Sequence, residues 1–456
     1  MSAYEALRPL FEPSAIAVVG VSRQGKQGAV FLQGLLDPGF RGEVYVVHPS
    51  ATEIMGVRAY PSVRALPKRP DLAILVLPAE PAIEVVRECA EAGVPAVVLF
   101  TAGFNELGTP EGEERARRLL AAAGGRTRLV GPNCMGVYNA KLRIAMFPGM
   151  PSTPGPIGFV SQSGSLVQFV VRAANERGLG IGKAVSIGNQ LDLTASDFLE
   201  YLSEDPETEV IAAYLEGLPD GRRFARVLRR AASRKRVVIW KAGRAQAGAR
   251  AARSHTGQLA GAFAIWRGLA QQAGVALVRD LEELVDTLAV ADAVRGLGPL
   301  GRRLAIVTGP GGPAVSASDA CEESGLELAT LGEGTTAELR RLVAAAGTSV
   351  RNPIDVGMVL EGAAEVYGRA LELALSDPGV DAALVIGGDR REPGRFAEML
   401  QETRARFRKP VLYATSFPLA SGDHGPELQR AGVATAPSGE RLLRAYGRLL
   451  GTLTPR

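Results

Sequence analysis

The chain has 456 residues, 46% of them hydrophobic, enough for about three domains at roughly 150 residues each with packed cores. A net charge of only +4 without long basic blocks excludes a dedicated nucleic-acid binder, and the lack of an apolar leader or of any run of ~18 apolar residues argues against a membrane role. Cys89, Cys134 and Cys321 are far apart, with no CxxC or Cys/His ligand spacing, so a reducing compartment, the cytoplasm, is expected, and no metal site.

From the N-terminus, short Val/Ile-rich runs at 15–19, 44–47, 72–77, 96–100 and 128–130 alternate with stretches long enough for helices, which predicts a parallel α/β sheet. The first strand is followed by Gly20-Val-Ser-Arg-Gln-Gly-Lys-Gln-Gly28, a glycine-rich turn at a helix start, where free amides and the helix dipole favour a pyrophosphate. The spacing of Gly20, Gly25 and Lys26 imitates a P-loop, but Gln27 stands where a Ser or Thr would have to reach magnesium, so nucleotide hydrolysis is not expected here. A nicotinamide dinucleotide calls for an acid at the end of the second strand, and Tyr45-Val-Val-His-Pro49 has none. Coenzyme A carries a pyrophosphate and a ribose phosphate and needs no such carboxylate. It fits better.

The Pro/Gly-rich segment 147–156 reads as a linker. Beyond it, a strand at 157–160 runs into Ser161-Gln-Ser-Gly-Ser165 and a helical 166–174, a second strand, turn and helix N-terminus suited to an anion, with Ser161, Ser163, Gly164 and Ser165 as candidates; plain serine capping explains the same residues. Asn189 and Asp192 fall in the loop before a helix at 195–202 and read either as loop shaping near a ligand or as turn chemistry. The strand-like 210–215 ends in Glu216-Gly217, a carboxylate at the edge where open α/β sheets build their sites. The strand 237–240 leads to Lys241 and Arg244, which suit an anion but read more plainly as solvated loop charges, and then to Arg250-Ala-Ala-Arg-Ser-His-Thr-Gly-Gln-Leu-Ala-Gly261. His255 is one of three histidines, and its small neighbours allow a ring nitrogen to reach a ligand; a histidine closing a polar loop before a helix near Gln258 is the plainer reading. A histidine nucleophile needs an orienting carboxylate, and Glu216 is the candidate.

After a helix at 281–294, the segment 295–302 is another Gly/Pro linker, and 304–307 with Thr308-Gly-Pro-Gly-Gly-Pro313 and a helix at 314–323 repeats the strand, glycine turn and helix of the preceding region. Gly311 and Gly312 suit an anion or a packed turn, and His424 reads as a surface-loop residue.

The Ser254 to Gly261 segment together with Glu216 resembles the NDP-forming acyl-CoA synthetases, and the ADP-forming branch in particular. Leu77-Pro78-Ala79-Glu80, Thr101-Ala-Gly-Phe-Asn-Glu106 and Gly131-Pro-Asn-Cys134 are similar to segments of that family's CoA-binding domain. The resemblance covers nearly the whole chain and implies an N-terminal Rossmann-like CoA-binding domain at 1–148, a flavodoxin-like domain with a phosphohistidine loop at 149–298, and a second flavodoxin-like domain at 299–456. It implies coenzyme A at Gly20, Ser22, Gly25, Lys26, Gly28, Pro78 and Asn133, phosphate at Ser161, Ser163, Gly164 and Ser165, and catalysis by His255 and Glu216. The third domain and Ser254-His-Thr-Gly favour the ADP-forming branch over a succinyl-CoA synthetase α subunit. No stretch remains for an ATP-grasp domain, so ADP or ATP with magnesium is expected on a partner β subunit in a hetero-oligomer. The alternative is a non-catalytic CoA-binding regulatory protein. Cys134 is expected to be a packed turn residue rather than a nucleophile.

Overall fold

The computed structural model describes residues 2–21, 27–250, 262–309, 311–343, 348–359, 361–389, 391–414 and 424–452. Two compact units emerge: one contains residues 1–175 and 180–273, the other 176–179 and 274–456.

In the first unit the strands are β1 (Ala15–Val19), β2 (Glu43–Val47), β3 (Glu53–Ile54), β4 (Val57–Tyr60), β5 (Leu72–Leu75), β6 (Ala96–Leu99), β7 (Arg128–Val130), β8 (Gly136–Asn139), β9 (Ile157–Ser161), β10 (Ile181–Ser186), β11 (Val210–Leu215) and β12 (Arg236–Lys241). The first sheet is ordered β3-β4-β2-β1-β5-β6-β7 and is parallel apart from the β3–β4 pair. Its central strands β1, β5 and β6 are buried at every position, as continuous apolar strands covered on both faces must be. Ile83 and Val86 of the helix Ala79–Glu91 and Leu119 of the helix Pro110–Ala123 close one face over Ala17, Ala73 and Val97.

In the same unit β12, β11, β9, β10 and β8 follow one another across a second sheet, parallel except for β8. Strand β8 is thus already part of the second sheet at Gly136, ahead of the 147–156 segment that the sequence offers as the linker. Its Val137 and Tyr138 are buried against β10, and that apolar pairing decides the membership. Strands predicted at 72–77 and 96–100 end at Leu75 and Leu99, because beyond them the backbone leaves the ladder for the loops of the ligand edge. The short β3–β4 hairpin was not legible in the sequence; Met55 and Gly56 turn it with φ of 53° and 77°.

The second unit contains β13 (Ala276–Val278), β14 (Arg303–Thr308), β15 (Glu327–Leu328), β16 (Ile354–Asp355), β17 (Ala382–Ile386), β18 (Val411–Ala414) and β19 (Ala434–Ala436). A parallel sheet runs β15-β14-β17-β18-β19, with β16 beside β14. The helix after the glycine turn begins at Gly311, earlier than the predicted 314, since Pro313 is tolerated in a first turn whose amides need no intrahelical partner. The expected order of one Rossmann-like and two flavodoxin-like α/β layers holds. Among the described residues no helix is long and apolar enough to cross a membrane.

In the first unit a buried ion cluster ties the N-terminal helix Ala3–Phe11 to the second sheet. Lys183 of β10 donates to Asp205 at 2.9 Å and Glu12 at 3.1 Å, with Phe11 and Tyr4 stacked on Tyr201 beside it. Burial works against the Lys183 ammonium, but Asp205 and Glu12 outweigh it and raise its pKa. Asp205 is fully buried, so Lys183→Met leaves it without its cation. Urea unfolding of this variant is expected to show a loss of about 3–5 kcal/mol, the usual result of breaking a buried pair from one side; a loss below about 1 kcal/mol would mean the cluster is solvated like a surface pair.

Candidate functional site

Two candidate ligand edges lie in the first unit, one at the carboxyl ends of each sheet. On the first sheet, β1 ends in Gly20, whose φ of +93° and approach to Val76 admit no side chain: a Cβ there would lie 2.2 Å from the Val76 carbonyl oxygen. Gly28 starts the next turn of backbone equally close, 2.5 Å from the Gly20 oxygen by the same measure. Gly28 lies in the first turn of the helix Gln27–Leu36; Ser22, Gly25 and Lys26 lie outside the described residues. Beside Gly20 opens a cleft of about 420 Å³ lined by Val47, His48, Pro49, Pro61, Leu77 and Val85 among others. It is apolar enough for a flat ring. At the end of β2, where a nicotinamide site would place its acid, stands His48. Its Nδ1 accepts the amides of Ser50 at 3.2 Å and Ala51 at 3.0 Å, which fixes the ring with its proton on Nε2, a donor for an anion. The sequence reading registered only the missing acid and passed over His48 itself.

Farther along this edge, Pro78 caps the helix Ala79–Glu91, and Asn133 takes a left-handed conformation with φ of 57° and donates its amide to Thr101 at 2.8 Å. The Thr101 hydroxyl is buried and has no hydrogen-bond partner among the described residues, an orphan that a polar ligand atom would satisfy. Cys134 is buried, with its thiol donating to the Val130 and Leu99 carbonyls, and burial pushes its pKa up to about 12. A thiol so placed is no nucleophile at neutral pH.

On the second sheet the register brings three strand ends together. Tyr214 of β11 pairs with Ser161 of β9, and Leu215 pairs with Lys241 of β12. Glu216, one residue beyond β11, therefore sits between the Ser161–Ser165 turn and Lys241, and it is buried. Ser161 donates to the Ser163 carbonyl at 2.7 Å, and the Ser163 and Ser165 hydroxyls lie 3.3 Å apart over the start of the helix Gly164–Glu176. A Cβ on Gly164 would strike Met135 at 2.3 Å. This turn supplies free amides and two hydroxyls at a helix N-terminus, chemistry that suits a phosphoryl group. His255 lies outside the described residues.

Lys241 corrects the sequence reading. It is not a solvated loop charge but is 1% exposed, and its ammonium donates to the Glu216 carbonyl at 2.8 Å and to the Ala242 carbonyl while lying 5.3 Å from the centre of the Trp266 ring. Placement as the last residue of β12, with its side chain on the buried face, put it there. Period alone cannot reveal this for a lysine at a strand end. Burial pushes its pKa down to about 8, against the pull of the Glu216 carboxylate. Burial and Glu216 together push the Tyr214 phenol up. Arg244 is exposed, with its guanidinium 5.7 Å from the Phe263 ring centre.

The loop after β10 joins the two edges. Asn189 donates its amide side chain to Asn105 at 3.1 Å and to Glu106, and accepts from Asn133 at 3.4 Å, all on the first sheet's edge. The next residue, Gln190, with φ of 58°, donates to the Gly217 carbonyl at 3.2 Å on the second. Asp192 anchors the loop on Arg128, accepting its Nη2 at 2.9 Å, and on the Leu129 amide at 2.8 Å. In the second unit, Gly311 opens its helix facing Asp355, an acid 3.6 Å from where a Cβ would be; an acid in that place answers the helix dipole itself. His424 caps the helix Gly425–Arg430 and contacts Glu427 at 2.8 Å.

Lys235 and Lys241 are both held near a pKa of about 8 by burial, below their ordinary value of 10.5. Between those values each of these lysines binds more protons in the unfolded chain than in the folded one, so its own contribution to stability rises with pH through that window as the cost of burying the charge is relieved. The thiols of Cys89, Cys134 and Cys321, raised by burial, act in the opposite sense there, so the readout is the stability difference between the parent and Lys241→Met. In denaturant unfolding from pH 8 to 9.5 the parent is expected to gain on the variant, and a difference that does not change with pH would contradict the burial assigned to Lys241.

Residues 14–140 match the CoA binding domain family, 154–291 the succinyl-CoA ligase like flavodoxin domain, and 304–412 the Ligase-CoA domain. The ADP-forming acetate–CoA ligase I of Archaeoglobus fulgidus is 40% identical over 83% of this chain, which spans 54% of that longer protein. The α subunit of ADP-forming acetate–CoA ligase II of Pyrococcus furiosus is 38% identical over 82% of this chain and 81% of its own length. Among solved structures, the dinucleotide-forming acetyl-coenzyme A synthetase 1 of Candidatus Korarchaeum cryptofilum, in complex with phosphate and ADP, superposes with a TM-score of 0.85 at 33% identity, covering 97% of this chain and 96% of that one.

Proposed function

The chain belongs to the family of ADP-forming acetate–CoA ligases, and we propose that it is the α subunit of an ADP-forming acyl-CoA synthetase acting in the cytoplasm. The observation that carries this reading is the meeting of Glu216 with the Ser161–Ser165 turn at neighbouring strand ends, in the same compact unit as the glycine turn and cleft of the first sheet. Functionally the division is into a CoA module at 1–148, a phosphoryl-transfer module at 149–298 and a third α/β module at 299–456.

In this reading coenzyme A enters along Gly20, Ser22, Gly25, Lys26 and Gly28, with its pantetheine arm passing Pro78 and Asn133 toward the second sheet. Phosphate attacks the thioester carbonyl, the C–S bond breaks, and the CoA thiolate leaves and takes up a proton, giving an acyl phosphate. A ring nitrogen of His255 then attacks phosphorus in line, the carboxylate departs, and phosphohistidine forms. Glu216 accepts the other ring N–H, fixing the tautomer and offsetting the charge on the ring. Ser161, Ser163, Gly164 and Ser165 hold the phosphoryl oxygens, where positioning and electrostatics do most of the catalysis. ADP receives the phosphoryl group on an ATP-grasp β subunit, which also holds magnesium, so the working assembly is a hetero-oligomer. The greater length of the Archaeoglobus fulgidus relative and the subunit naming of the Pyrococcus furiosus one support a partner for this chain.

Calorimetry is expected to find CoA binding without NAD binding. Gly20→Ala should weaken CoA at least about tenfold, since a side chain with no room beside Val76 displaces the backbone that would meet the pyrophosphate. NAD binding without CoA binding would overturn the assignment of this edge.

Given acetyl-CoA, radiolabelled phosphate and the β subunit, the wild-type chain should carry acid-labile label that is absent from His255→Ala and passes to ADP. Label persisting in His255→Ala, or ATP made by this chain alone, contradicts the division of roles. No label on any form, with CoA still bound, supports a CoA-sensing protein instead.

A further inference from the structure

Every polar backbone atom of the Glu216–Gly217 pair is met by a buried side chain. The two amides both donate to Gln162 Oε1, from Gly217 at 2.9 Å and from Glu216 at still closer range. Lys241 Nζ donates to the Glu216 carbonyl at 2.8 Å, and Gln190 Nε2 to the Gly217 carbonyl at 3.2 Å. Gln162, Gln190 and Lys241 are 1%, 3% and 1% exposed. They come from three separate elements: the turn after β9, the loop after β10 and the end of β12.

Backbone leaving a sheet loses its ladder partners, and at an open ligand edge water ordinarily replaces them. Here two amides and an ammonium do so instead, although burying an ammonium against carbonyl oxygens is costly. An arrangement that merely satisfied these atoms would need no charge. Gln190 is itself secured: its Oε1 accepts the Ala195 amide at 2.9 Å, so its side chain is fixed at both ends. Water exchanges, and a carboxylate on water-held backbone wanders by fractions of an ångström. Held this way, Glu216 has one backbone position.

We infer that Gln162, Gln190 and Lys241 are positioning residues for phosphoryl transfer, acting together as a clamp that fixes Glu216 against the group it orients. This rests on the role proposed above for Glu216. Gln190→Glu keeps size and the acceptor for Ala195 but loses the donor to Gly217; Lys241→Met keeps length and loses both carbonyl bonds and the charge.

The test measures single-turnover labelling of the chain from acetyl-CoA and radiolabelled phosphate in the presence of the β subunit. Both variants are expected to slow labelling by about 10- to 100-fold, the scale set by small misplacements of a catalytic group, with half-saturating acetyl-CoA and phosphate within about twofold of the parent. In a Glu216→Ala background Lys241→Met should add less than about threefold, because a residue acting through Glu216 has nothing left to position. Rates per folded molecule, counted from melting curves, separate a folding defect from the effect sought. Parent-like labelling in both variants, or full additivity in the Glu216→Ala background, overturns the clamp while leaving the proposed function standing. Absence of label on the parent chain overturns the proposed function, and the clamp with it.

Discussion

The placement of β11 between β9 and β12, in parallel register, is the constraint on which the site depends. Parallel pairing sets all three carboxyl ends on one edge, so the turn after β9, the acid after β11 and the lysine ending β12 are neighbours without any long-range search by loops. A one-residue slip of β11 would send Glu216 to the other face of the sheet, among the apolar residues of the packing layer. The buried, near-continuous apolar strands that make this register firm are thus also what sets these polar residues side by side.

The first sheet solves a different problem with the same geometry. At its edge Gly20 and Gly28 let the backbone pack directly on Val76 and Gly20, while His48 offers a proton where a dinucleotide site would offer a carboxylate. The electrostatics of the two edges are therefore opposite in emphasis. The first presents the donor of His48, whereas the second confines an acid and an ammonium in one buried set of polar contacts.

Much of the fold was legible because parallel strands buried on both faces write themselves as unbroken Val/Ile runs, as at Ala15–Val19 and Val210–Leu215, whose bounds agree with the reading to the residue. The short hairpin around Met55 escaped because two-residue strands have no period to detect. Glu216, Ser161 and Gly164 were legible as strand-end residues. Lys241 was misread, since charge suggests solvent and only tertiary packing under Trp266 overrides that. Gln162 and Gln190 were passed over for a related reason: an amide side chain acquires its meaning from the backbone it binds, and that backbone lies 54 and 27 residues away in the chain.

The loop that carries Asn189 and Gln190 has a bearing on how such a chain can change over time. Two successive amides face in opposite directions, one toward Asn105, Glu106 and Asn133, the other toward Gly217, and Asp192 rivets their loop to Arg128. Neither edge can be replaced without its half of that handshake. A recombination that imported a foreign CoA module would bring new partners for Asn189 while Gln190 still answered to the resident acid. Grafts cut at the 147–156 linker divide the contact, and β8 from its sheet; cuts that keep residues 105–139 with 187–217 preserve it.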